Sequence, residues 1–221
     1  MTEGSGLCNV DCNGSVIVGA SDDSTVIVWD MEGRIIRRFF HHDSSVFCLV
    51  VTAAMIITGS MTGEMSFISL ETLEVVHFWS PHESQYGVLD LALDNDRLVS
   101  VGKDMKLWSL STPELLDQIE TGPVTSISLA WPLAAMAMFR ANHGACVQVW
   151  NIERREMVAK FGDHPVFFIH LDMTKLVVVE LLTGQLKVMK DSLLKYFRSA
   201  CTSFLMAFLR TSSPSCPDTG L

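Results

Sequence analysis

VIVWD, Val26 to Asp30, is a short apolar run that ends in a bulky residue followed by a polar one, and the pattern recurs. MSFIS (Met65 to Ser69), MKLWS (Met105 to Ser109), VQVWN (Val147 to Asn151) and LKVMK (Leu186 to Lys190) repeat it. The fourth residues of the five runs are Trp29, Ile68, Trp108, Trp150 and Met189, separated by 39, 40, 42 and 39 residues. Spacing this regular marks an internal repeat rather than five unrelated strands.

Working outward from these anchors, which we call strand c, a second apolar run precedes each one. These b runs are SVIVGAS (Ser15 to Ser21), MIITGS (Met55 to Ser60), RLVSVG (Arg97 to Gly102), AMAMFRA (Ala135 to Ala141) and KLVVVEL (Lys175 to Leu181). Small and Asx residues join b to c, among them Asp22 to Ser24, Thr62 with Gly63, Lys103 with Asp104, Asn142 to Gly144, and Thr183 with Gly184. Such residues suit tight hairpins because they accept left-handed backbone or bond to it. An a run lies further upstream in each repeat, as in VFCLVV (Val46 to Val51), and a d run follows c, as in RIIRRFF (Arg34 to Phe40). The d runs alternate apolar with polar residues, the pattern of a half-exposed outer strand, whereas the inner runs are more uniformly apolar. Four strands per period of roughly forty residues predict an all-β fold, a β-propeller of about five four-stranded blades. The expected blades span 6–40, 46–79, 88–120, 124–161 and 166–197, followed by a Ser- and Pro-rich tail, 198–221, that is expected to be partly disordered.

Composition narrows the function classes. The chain has 221 residues, 48% hydrophobic and 19% charged, with a net charge of −9. That balance argues against nucleic acid as a partner, since phosphate binding needs a basic surface. A membrane span is not expected either, because no apolar stretch approaches the roughly eighteen residues a spanning helix needs. Six cysteines show no disulfide framework, and the first fifteen residues lack the basic-then-apolar pattern of a secretory signal. A reducing compartment, cytosol or nucleus, is therefore the expectation.

The stretch ASDDSTVIVWD, Ala20 to Asp30, resembles the WD-repeat family of β-propellers almost position for position. In that family a Trp on strand c, a Ser or Thr on strand b, an Asp in the b–c turn and a His before strand a form a structural hydrogen-bond network. The resemblance implies these roles for Trp29, Ser21 and Asp23, with no His available before the first a run. It pairs Trp108 with Ser100, and Trp150 with Asn142, as partial matches. VFCLVV, IITGS and LETLEVV further resemble repeats of the F-box/WD proteins, which deliver substrates to ubiquitin ligases, although no stretch reads as an F-box. Such propellers usually have seven blades. Five therefore imply an incomplete or open ring, with a closed five-bladed ring as the alternative.

No catalytic, cofactor or metal constellation stands out. Cys8 and Cys12 are four apart rather than in CxxC spacing, and the glycines fall singly at hairpins. The resemblance implies a non-catalytic scaffold that recognises a protein or peptide through its d-to-a loops and b-to-c turns. Candidate rim residues are Lys103, Asp104, Arg140, His143, Tyr86 and His42. Tyr86 and the nearby Trp79 are the candidate aromatic anchors, with core packing as the other reading of Trp79. Self-association through open blade faces is a second expected mode. A propeller enzyme would need paired carboxylates at the channel mouth, and the loops offer only Asp104, Glu64 and Glu83.

Overall fold

The computed structural model describes residues 6–140, 144–161, 166–171, 176–180 and 186–189. Every regular element among them is a strand. The first sheet holds Leu7–Cys12 (β1), Val16–Ser21 (β2), Val26–Asp30 (β3) and Ile35–Phe39 (β4). The second holds Val46–Val51 (β5), Met55–Ser60 (β6), Met65–Ser69 (β7) and Val75–Trp79 (β8). The third holds Asp90–Asp94 (β9), Arg97–Val101 (β10), Met105–Ser109 (β11) and Leu115–Ile119 (β12). Val124–Ala130 (β13), Leu133–Arg140 (β14), Gly144–Asn151 (β15) and Glu156–Phe161 (β16) form the fourth. The fifth has three described strands, Val166–Leu171 (β17), Leu176–Glu180 (β18) and Leu186–Met189 (β19). Each sheet is an antiparallel meander in chain order. The outer strand expected at 192–197 and the tail 198–221 lie outside the described residues.

Stacking follows from the period of two in a strand, which sends successive side chains to opposite faces. On β6, Ile56 belongs to a core shared with Val18, Val26 and Val28 of the first sheet, while Ile57 joins Leu98 and Trp108 of the third and Val88 just before it. On β14, Ala134, Met136 and Met138 pack toward the third sheet; Leu133, Ala135 and Ala137 pack toward Ile169, Leu171 and Leu176 of the fifth. Each of the four cores thus lies between two successive sheets, so inner strands must be apolar on both faces. Alanines alternate with larger residues along β14 because both neighbours crowd it. The outer strands β4, β8 and β12 keep mostly exposed positions, as their alternation predicts.

A register shift recurs at the anchor of strand c. It falls between Val28 and Trp29, Phe67 and Ile68, Leu107 and Trp108, and Val149 and Trp150. The extra residue lies on the outer strand, Ile36, Val76, Leu116 and Val158 in turn, and raises the local twist there. The a strands lie against one another, and their polar side chains bond from sheet to sheet. The Val51 N–H donates to Asp11 Oδ2 at 2.8 Å, Trp131 N–H to Asp94 Oδ2 at 2.8 Å and Leu171 N–H to Ser128 Oγ at 2.9 Å. Asp90 Oδ2 takes both the Ile127 N–H (2.8 Å) and the Ser126 hydroxyl (2.9 Å). Burial pushes the Asp90 carboxyl above its ordinary range despite those bonds.

Among the described residues the arc is open. On β1 Leu7 and Val10 stay 44% and 53% exposed, whereas the equivalent strand β5, flanked on both sides, is largely buried.

Candidate functional site

Two d-to-a loops are held by buried histidines against strand b and the b-to-c turn of the sheet that follows. Between β8 and β9, His82 is 5% exposed. Its Nε2 lies 2.8 Å from Ser100 Oγ, which also receives the Trp108 indole N–H at 2.8 Å. Its Nδ1 faces Asp104 Oδ1 at 3.6 Å. A neutral ring carrying its proton on Nδ1 toward Asp104 accepts the Ser100 hydroxyl at Nε2, giving one consistent direction to the chain. Burial, reinforced by Lys106, lowers the His82 pKa to about 4, which keeps the ring neutral. The Gln118 amide also donates to Asp104.

A variant of the same device sits one blade earlier. His42 Nδ1 is 3.1 Å from Glu64 Oε2, and its Nε2 is 2.8 Å from Thr58 Oγ1. Burial lowers the His42 pKa against the pull of Glu64. For Glu64 burial acts upward, but hydrogen bonds from His42, Ser60 and the Asp43 N–H outweigh it and hold the carboxyl low. Register shows the equivalence: Thr58 stands opposite Ser66 as Ser100 stands opposite Lys106, and Glu64 and Asp104 each directly precede strand c. Ile68 replaces the Trp, so this version lacks the indole bond.

Several sequence expectations are corrected by this geometry. In the first sheet the position equivalent to Ser100 is Gly19, not Ser21, because Gly19 pairs with Ile27 two residues before Trp29. Trp29 instead lies over Gly19, where an added Cβ would come within 2.9 Å of its ring. Ser21 Oγ donates to the Gly6 carbonyl at 3.0 Å, and Asp23 accepts from the Thr25 N–H and hydroxyl. In the fourth sheet Met136 fills the hydroxyl position, so the Trp150 indole donates to Gln148 Oε1 at 2.9 Å. Asp104 and His42, read as rim residues, turn inward as network members.

Lys103 stays exposed and comes together with the half-buried Tyr86. The Lys103 ammonium lies 5.7 Å from the Tyr86 ring centroid and 2.7 Å from Glu83 Oε1. Arg140 ends β14, with no description of its side chain, and His143 and Asn142 lie outside the described residues. Sequence reading missed Thr58, weighed Glu64 only as a loop carboxylate and did not connect His82 to Ser100. The detectable signal was a hydroxyl two positions before the end of the b run, combined with an acid immediately before c.

The three carboxylates considered for catalysis are all engaged, Glu64 and Asp104 by histidines and Glu83 by Lys103 and Gln85. Among the described residues no group of three His, Cys, Asp or Glu side chains is placed to hold a metal ion, and no helix is long and apolar enough to cross a membrane.

Comparison with known proteins agrees with this architecture. Residues 4–106 match the family described as the IP5P C-F beta-propeller. No curated protein matches the chain. Among solved structures, a chain of the Mitotic Checkpoint Complex superposes with TM-score 0.73 at 16% identity, covering 85% of this chain and 63% of that one. U3-55K gives TM-score 0.72 at 17% identity, over 86% and 65% of the two chains. The chain folds as a β-propeller. The computationally designed Ika8 protein is similar too, with TM-score 0.70 and 20% identity over 82% of this chain and 57% of that one. This propeller therefore spans about three fifths of the length of those structures.

Proposed function

We propose that this propeller is a non-catalytic scaffold of the WD-repeat type, working in cytosol or nucleus, that binds a protein or peptide across its loop rim. The observation that carries the reading is the pairing of a hydrogen-bonded base with a cluster of half-buried Tyr86 and exposed Lys103 and Glu83. The His82–Ser100–Trp108–Asp104 network holds the loop and turn rigid, and Tyr86, Lys103 and Glu83 project from that same loop and turn. A rigid amphipathic aromatic beside a cation is the kind of anchor that dominates protein interfaces. The network also matches, residue type for residue type, the one expected of WD repeats.

Affinity capture with the intact chain and with Tyr86→Ala/Lys103→Ala tests the reading. The intact chain retains a specific set of proteins that the double variant loses, at unchanged thermal stability. Retention of the same set by both, or of nothing by either, contradicts a rim-binding role. A narrower version, a substrate receptor related to F-box/WD proteins, has the support of the VFCLVV, IITGS and LETLEVV segments and predicts ubiquitin-ligase subunits in that set. Association of copies through the exposed β1 belongs to the same reading; Leu7→Glu/Val10→Glu then lowers the sedimentation-derived mass at high concentration.

A further inference from the structure

We propose that the free outer edge of β4 is a docking site for an extended acidic peptide segment, which adds to the first sheet as a further strand. The site lies on the circumference and is separate from the loop rim. β4 is the terminal strand of its sheet and pairs only with β3 among the described residues, so backbone N–H and C=O groups face outward on either side of Ile36, the extra residue of the register shift. Exposed apolar side chains flank that edge: Ile35, Ile36 and, directly after it, Phe40, which is 74% exposed.

Charge selects the partner. Arg37 and Arg38 are adjacent on β4 and point to opposite faces of the sheet, so one guanidinium can reach across the edge on each side. Among the described residues neither is paired with a carboxylate, and Arg37 makes only a contact with the Phe39 ring, 5.8 Å from its centroid. Arg34 differs, since its guanidinium is closed by Asp30 at 2.7 Å and Glu32 at 2.9 Å. No other described outer strand carries this combination. β8 has no Lys or Arg, β12 carries Asp117, and β16 sets Lys160 against Glu156. In a chain of net charge −9, two open arginines beside exposed isoleucines fit an incoming strand that alternates acidic and apolar residues. They disfavour a second copy of β4, because its arginines would meet their own kind.

The test uses the full chain and a fluorescein-labelled decapeptide of alternating valine and glutamate, read by anisotropy. Binding is expected, with at least a tenfold loss for Arg37→Glu/Arg38→Glu and for the same peptide N-methylated on alternate amides. Tyr86→Ala/Lys103→Ala leaves binding unchanged, which separates this edge from the rim. Because charge reversal can disturb folding, amide exchange on the unaltered chain gives a second readout: residues 35–39 gain protection when the peptide is added. No binding, equal binding of a valine–lysine peptide or of the N-methylated one, unaltered exchange at 35–39, loss of binding in the rim variant, or β4-dependent dimerisation of the chain alone would each overturn the proposal.

Discussion

Replacing Ser100 by alanine probes the joint on which the rim rests. Ser100 is fully buried, and its oxygen is the partner of two other buried groups, the Trp108 indole N–H and His82 Nε2, both at 2.8 Å. Alanine leaves the indole donor without an acceptor and the imidazole nitrogen without a donor. A buried polar group left unsatisfied costs about 1–3 kcal/mol, so the pair should cost about 2–4 kcal/mol, partly offset if a water enters. Trp108→Phe removes the donor instead, and the Ser100 hydroxyl can still serve His82. In the Trp108→Phe background the Ser100 substitution should therefore cost less, by about 1–2 kcal/mol, than in the natural chain. Urea unfolding of the four proteins followed by circular dichroism measures this cycle. A loss below about 0.5 kcal/mol for Ser100→Ala, or strict additivity in the double variant, would refute the network as an energetic unit.

Acidification should loosen the same joint. His82 is held at about 4, chiefly by burial, below the ordinary 6.5, and so is His41, which lies in the preceding d-to-a loop with its Nε2 2.8 Å from Ser66 Oγ. A depressed histidine means that the unfolded chain binds protons first, so stability is full above pH ~6.5 and falls as pH drops toward ~4. The loss from His82 alone should be about 2 kcal/mol near pH 5, and His82→Gln should flatten that part of the curve in denaturant titrations at several pH values. Two glycines of left-handed backbone separate strain from crowding. Gly63 has φ 87° and an added Cβ would lie 2.2 Å from the His82 carbonyl oxygen, while Gly14 has φ 85° and open space around it. Gly14→Ala should cost about 1–2 kcal/mol from backbone strain, and Gly63→Ala clearly more, by thermal unfolding. Asp90→Asn keeps an acceptor for the Ile127 N–H and removes a buried charge, so its stability at neutral pH should equal or exceed that of the natural chain. Asp90→Ala should lose about 1–3 kcal/mol in the same assay.

The fold was legible because each inner strand is squeezed between two neighbours, which forces apolar residues onto both faces and repeats that demand every forty residues or so. Met55 to Ser60 shows this: Ile56 and Ile57 are adjacent in sequence but serve different cores. The anchors at Trp29, Ile68, Trp108 and Trp150 were legible for a related reason, since each follows the recurring register shift. The rim was harder to read. Whether an acid near a turn faces solvent or a histidine depends on a register difference of one or two residues, which composition does not encode. Asp104 and His42 show the consequence, as both have surface-like neighbours in sequence and buried partners in space. Ser21 was misassigned to Trp29 because proximity to the turn looked equivalent, yet pairing places Gly19 there. The sheet-to-sheet bonds of Asp11, Asp90 and Asp94 had no local signature, because the backbone N–H groups that donate to them lie nearly a whole repeat away.

Residue-resolved amide exchange tests most directly whether successive four-stranded meanders share their cores. Slow exchange should recur in the second and third strands of the first four sheets, 16–21 with 26–30, 55–60 with 65–69, 97–101 with 105–109 and 133–140 with 144–151, separated by faster outer strands. Protection confined to one continuous region, or lacking that recurrence, would contradict the stacked-blade account.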